Sequence, residues 1–146
     1  MTYTTQMDAA RKGIVTKEME IVSRKENMDI KELVQFMAEG KIIIPCNKKH
    51  TCIEPNGIGS MLKTKINVNL GVSRDCKDFE AEWEKVESAV KMGAEAIMDL
   101  SNYGDTQKFR TQLTSRCPAI IGTVPIYDAV VYYHKPLKDI TTEEWL

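Results

Sequence analysis

Three short apolar runs, separated by single amphipathic stretches, constrain this chain more than any other feature. In the first, Ile66, Val68 and Leu70 alternate with Asn67 and Asn69, and Gly71 closes the run. The second is Ala96-Ile97-Met98-Asp99-Leu100 and the third Ala119-Ile120-Ile121-Gly122-Thr123-Val124. Alternation with period two, or a brief continuous apolar run bounded by turn formers, predicts a strand. Between the first two runs Phe79, Trp83, Val86 and Val90 recur at helical spacing, and Gly93 follows as a stop, so a helix is expected over about 78–92. A second helix is expected over about 106–116, ended by Pro118. Pro125-Ile126-Tyr127-Asp128 reads as a turn leading into a short helix that ends near Tyr133. Strands alternating with single helices predict right-handed parallel βαβ units. The near-continuous apolar strands suit a sheet covered on both faces.

Upstream the pattern is different. Met1 to Gly13 is polar and reads as an arm lying on something else. Thr16 is placed to cap a helix through about Lys25, with Met19 and Val22 on one face. Asp29 and Glu32 have capping-box spacing ahead of Ile30, Leu33, Val34 and Met37, and Gly40 ends that helix. Ile42-Ile43-Ile44 is a short extended segment, and Cys46 to Ser60 reads as loop because Asn47, Pro55, Asn56, Gly57 and Gly59 are turn formers. Two regions are expected: a helical and loop segment over 1–62 and a βα segment over 63–146. At the far end Thr141 and Glu144 again have capping-box spacing, with Trp145 and Leu146 opening an apolar face. The expectation is the opening section of a longer α/β protein, the first three βα units of a (β/α)8 barrel of the TIM type.

Composition narrows the function classes. With 42% hydrophobic residues, 28% charged residues and a net charge of -1, the 146 residues can pack a core. The interleaved charges argue against a polyanion-binding surface. No apolar run approaches the roughly 18 residues of a membrane helix, and the polar N-terminus has no signal-peptide core. Four irregularly spaced cysteines, at 46, 52, 76 and 117, read as reduced thiols. A cytoplasmic location is the default expectation.

Several residues are candidates for chemistry. Asp99 lies at the C-terminal end of its strand, where parallel sheets meet ligands, and reads equally as a ligand contact or a turn cap. Asn69 is the last polar residue before Gly71, a position that suits a ligand-binding turn or a plain strand cap. By pattern alone Met98 belongs to the core. Tyr127 follows a strand and a proline, a position suited to ligand contact or to packing. Cys46, His50 and Cys52 are close in sequence, but no second ligand pair follows at zinc spacing, so they read as a loop with incidental thiols. His134, beside Tyr132 and Tyr133, reads as a surface or packing residue, and Gly57-Ile58-Gly59 is too short for a phosphate loop.

Taken in order, the segments resemble one family. Thr5-Gln6-Met7, Ala10-Arg11-Lys12-Gly13-Ile14 and Thr16-x-Glu18-Met19 are similar to its opening. Gly40, Ile43-Ile44-Pro45-x-Asn47 and His50 resemble its next segment. Lys65-Ile66-Asn67-x-Asn69-x-Gly71, Gly93-Ala94 with Met98-Asp99-Leu100-Ser101, and Pro118 with Ile121-Gly122-Thr123-Val124-Pro125-Ile126-Tyr127 resemble its first three barrel strands. The family is phosphomethylpyrimidine synthase, of the thiamine pathway, in its shorter bacterial form.

The resemblance implies a (β/α)8 barrel with radical S-adenosylmethionine chemistry. In that family a [4Fe-4S] cluster cleaves S-adenosylmethionine. The resulting radical starts conversion of 5-aminoimidazole ribonucleotide to 4-amino-5-hydroxymethyl-2-methylpyrimidine phosphate, with formate and carbon monoxide released. It also implies a divalent metal (zinc), a homodimer when full length, and substrate contacts at Asn69, Met98 and Tyr127. These three residues stand 29 positions apart in each step. On neighbouring parallel strands about 4.8 Å apart they would converge on one rim. The family's cluster motif, Cys-x2-Cys-x4-Cys, and its two metal-binding histidines have no counterpart here, so no catalytic or metal residue is assigned. A related enzyme, 5-hydroxybenzimidazole synthase, shares the substrate and cluster, and a non-enzymatic α/β module is the alternative from another class.

Overall fold

A computed structural model describes residues 2–146, which divide into two compact units. The first unit runs to Lys48 and resumes over Glu54–Lys65; the second comprises Lys49–Ile53 and Ile66–Leu146.

In the first unit, α1 (Gln6–Arg11), α2 (Lys17–Glu26) and α3 (Ile30–Ala38) pack together. The polar arm is thus partly a helix. Thr5 caps α1 by accepting from the Asp8 amide, and the small side chains Ala9 and Ala10 bury fully against α3. Thr16 caps α2 through the Met19 amide, and its hydroxyl also donates to Gln6 Oε1 at 2.6 Å. Asp29 caps α3 through the amides of Lys31 and Glu32. Met19, Val22, Leu33, Met37, Ile42 and Ile44 complete the core. The region read as loop contains one short strand. β1 (Ile42–Ile43) pairs antiparallel with β2 (Ile58–Gly59), a pairing too brief to leave a periodic signal. Near the end of this unit Lys65 Nζ lies 2.5 Å from Glu26 Oε1, with both side chains almost wholly buried.

The second unit holds an open three-stranded parallel sheet in the order β3 (Asn67–Leu70), β4 (Ala96–Asp99), β5 (Ile120–Thr123). α4 (Phe79–Lys91) joins the first pair of strands and α5 (Thr106–Arg116) the second. Leu70 and Ile97, flanked by Val68 and Ile121, pack with Val86 and Ala89 of α4 and Phe109 and Leu113 of α5. The helices therefore cover one face of the sheet. The stripe expected on α4 is offset, since its most buried positions are Glu82, Val86 and Ala89, with Phe79, Trp83 and Val90 at the flanks. After β5 no separate turn occurs. Pro125 starts α6 (Pro125–Tyr133) directly, because a proline at the first helical position costs no hydrogen bond. The capping box at Thr141 and Glu144 opens α7 (Thr142–Trp145). Among the described residues no helix is long and apolar enough to cross a membrane.

Candidate functional site

Register decides which side chains share a face. Asn69 is the lateral partner of Met98, and Met98 of Gly122. Side chains alternate across a strand. Because Val68, Leu70, Ile97 and Ile121 face α4 and α5, Asn67, Asn69, Met98 and Gly122 occupy the opposite face. On that face Asn67 Nδ2 donates to Asn69 Oδ1 at 2.9 Å, which fixes the amide plane of Asn69. The thioether of Met98 lies across β5, over Gly122. Asn69 is exposed and Met98 half-buried. Tyr127 is in the first turn of α6, just beyond the C-terminal end of β5, and is 39% exposed. Asn69 and Met98 are thus brought side by side, while Tyr127 is held by a separate element at the same end of the sheet.

The turns above these strands are braced by buried polar groups. Glu82 of α4 is 1% exposed; its Oε2 accepts from the Gly71 amide at 2.8 Å, and Lys85 pairs with its other oxygen. Ser101 is also buried, and its hydroxyl accepts from the Val72 amide at 3.1 Å. Asp99 accepts from the Ser101 amide at 2.9 Å and lies on the helix-side parity of β4, so it serves as the turn cap. Backbone bonds from Leu100 N to Leu70 O (2.7 Å) and from Asn102 N to Val72 O (3.0 Å) carry the pairing past the strand ends. Gly71 makes this closeness possible. Its φ of 144° suits glycine, and a Cβ there would come within 2.5 Å of Ser101 N. Sequence pattern alone assigns no bracing role to Glu82 or Ser101. An acidic residue flush with the apolar stripe of α4 was the available signal for Glu82. A glycine inside an apolar strand was the signal for Gly122.

The remaining candidates fall elsewhere. His50 is buried in the second unit, with Nε2 2.6 Å from the Cys117 carbonyl oxygen, and the Cys52 thiol donates to the same oxygen at 3.3 Å. Burial, reinforced by nearby Cys52, raises the Cys117 thiol pKa above its ordinary value. Cys46 and Cys76 are exposed. Among the described residues no group of three or more His, Cys, Asp or Glu side chains is placed to hold a metal ion. The thiols therefore do not fit an iron–sulfur cluster, which needs several cysteines on one centre. His134 ends α6 in the left-handed conformation and lines a groove of about 720 Å³ with Arg74, Tyr103 and Lys135. A second groove of about 400 Å³ lies beside Thr106, Arg110, Asp128 and Trp145. Neither groove is lined by Asn69, Met98 or Tyr127.

Comparison with known proteins agrees with these segments. The model of the radical SAM ThiC family matches residues 5–146. Curated proteins named phosphomethylpyrimidine synthase are similar along the whole chain. The one from Clostridium botulinum (strain 657 / Type Ba4) is 63% identical over 146 residues. The one from Alkaliphilus oremlandii (strain OhILAs) is 66% identical over the same span. In both cases the chain spans 33% of the relative's length. From the braced strand ends to this match over nearly every residue, the chain belongs to the radical SAM ThiC family.

Proposed function

We propose that this chain is the N-terminal part of a phosphomethylpyrimidine synthase and supplies one side of its ribonucleotide site. The observation that carries the reading is the placement of Asn69 beside Met98 on the face of a parallel sheet opposite α4 and α5, near its C-terminal end. Parallel-sheet enzymes build their sites at that end, and the chain aligns throughout with proteins of that name. In the longer protein the three strands open a (β/α)8 barrel, whose interior is the face bearing Asn69 and Met98. Asn69 exchanges hydrogen bonds with the imidazole or ribose of 5-aminoimidazole ribonucleotide. Met98 gives a soft apolar contact, and the Tyr127 hydroxyl reaches a phosphate or sugar oxygen. Together they orient the substrate and exclude water.

In this reading the full-length protein carries a [4Fe-4S] cluster, S-adenosylmethionine and divalent zinc; among the described residues here the cysteines do not converge on one centre. The full-length protein is a cytoplasmic homodimer in this reading. The test is anaerobic turnover of the full-length protein with 5-aminoimidazole ribonucleotide, with the product identified by mass spectrometry. The pyrimidine phosphate is expected, and 5-hydroxybenzimidazole or no product would overturn the assignment. Asn69→Ala should weaken ribonucleotide binding by about 1–3 kcal/mol, the cost of leaving a buried ligand group unpaired, without changing iron content.

A further inference from the structure

We infer that Gly122 is a positioning residue of this rim: its missing side chain is the space in which the Met98 thioether lies. The backbone at Gly122 does not require glycine, because its φ is not positive. Glycine within a strand weakens it and often marks a close approach by another group. Here the approaching group is identified. A Cβ built on Gly122 would fall 2.8 Å from Met98 Cε and 2.9 Å from Met98 Sδ, whereas the nearest backbone atom, Ile97 O, is 3.9 Å away. Both crowded atoms are the far end of a flexible side chain. An alanine would therefore be admitted by turning the thioether away from β5, and the fold would be left intact. Met98 is flanked laterally by Gly122 on one side and Asn69 on the other. A displaced thioether moves toward Asn69 or into the space above the sheet, where the substrate is read to bind. Gly122 thus sets how far Met98 stands from Asn69, which presupposes that Asn69 and Met98 hold the ribonucleotide.

The test uses the full-length protein without its cluster, titrated calorimetrically with 5-aminoimidazole ribonucleotide. Gly122→Ala should lower affinity about tenfold or more, as a misplaced methyl does in a fitted pocket, while the melting temperature stays at the wild-type value. The Met98 methyl resonance, observed in protein labelled with 13C-methyl methionine, should move in the absence of substrate. In a Met98→Ala background, adding Gly122→Ala should change affinity little, because the thioether to be displaced is gone. An unmoved Met98 methyl with wild-type affinity in Gly122→Ala would overturn the inference. So would an equal loss of affinity in both backgrounds, or a drop in melting temperature that the double variant does not relieve. If Asn69→Ala and Met98→Ala both bind like wild type, the proposed site falls and this inference with it. If both weaken binding and Gly122→Ala does not, only the role of Gly122 is lost.

Discussion

Replacing Gly71 with alanine should loosen the sheet end far more than replacing Gly122, although both are glycine-to-alanine changes in one small sheet. At Gly71 the new methyl meets backbone: Ser101 N at 2.5 Å, Leu100 C at 2.8 Å and Leu100 N at 3.0 Å. None of these atoms can swing aside. The φ of 144° adds strain for any side-chain-bearing residue, of about 1–3 kcal/mol. Overpacking against fixed atoms adds about 1–3 kcal/mol more. Relief requires β3 and β4 to part beyond Leu70, which breaks the Leu100–Leu70 backbone bond and the Ser101–Val72 bond. A local destabilisation of about 4 kcal/mol follows, close to three decades in an opening equilibrium. Amide hydrogen exchange of the full-length protein reads this directly, since protection reports the free energy of local opening. Exchange at Val72, Leu100 and Asn102 should accelerate about a thousandfold in Gly71→Ala. These amides should stay protected in Gly122→Ala. Equal protection in Gly71→Ala and wild type would refute the steric reasoning, and so would matching acceleration in the two variants.

Three further outcomes follow from buried charge. Lys65→Met should destabilise the first unit by about 3–5 kcal/mol, because it strands the Glu26 carboxylate, 5% exposed, without its ammonium partner; thermal unfolding checks this, and Lys65→Met/Glu26→Leu should recover much of the loss. At Glu26 burial raises the carboxyl pKa, but the Lys65 ammonium and the Lys63 amide outweigh it and hold the value below the ordinary 4.5. That group therefore contributes stability fully present above about 4.5 and lost as pH falls through its lowered folded value, so a thermal-unfolding series on the acid side should flatten in the double variant. Glu82→Met should cost about 1–3 kcal/mol by leaving the Gly71 amide unpaired, whereas Glu82→Gln keeps an acceptor and should retain most of the hydrogen-exchange protection at Gly71.

Features whose cause is local were legible in the sequence. Thr16, Asp29 and Thr141 all cap helices, since a cap depends on a side chain and amides within three residues of it. The three strands follow from alternation and turn formers, whereas the parity that sets Asn69 and Met98 on one face comes only with the register, since pattern alone assigns Met98 to the core. Features whose cause lies far along the chain were not legible. β2 exists because Ile58 meets Ile43, fifteen residues back, across turn formers that mask it. α1 buries only two alanines, too small an apolar face to stand out in a polar arm. Glu82 is buried where its carboxyl oxygen accepts a hydrogen bond from the Gly71 amide, eleven residues away. By sequence Tyr127 reads as part of a turn because proline and aspartate flank it, whereas proline here begins a helix.

The buried imidazole of His50 has a consequence for modularity. Five residues, Lys49–Ile53, leave the first unit, join the second and return. His50 and Cys52 there meet one carbonyl oxygen, that of Cys117 at the end of α5. The chain crosses between the units three times, so no single scission separates them. A fragment beginning at residue 63 would carry the whole sheet and yet lack the imidazole and thiol at the Cys117 carbonyl. Exchanging residues 1–62 between relatives would carry His50 and Cys52 with them, so the second unit's own Cys117 carbonyl would receive foreign partners.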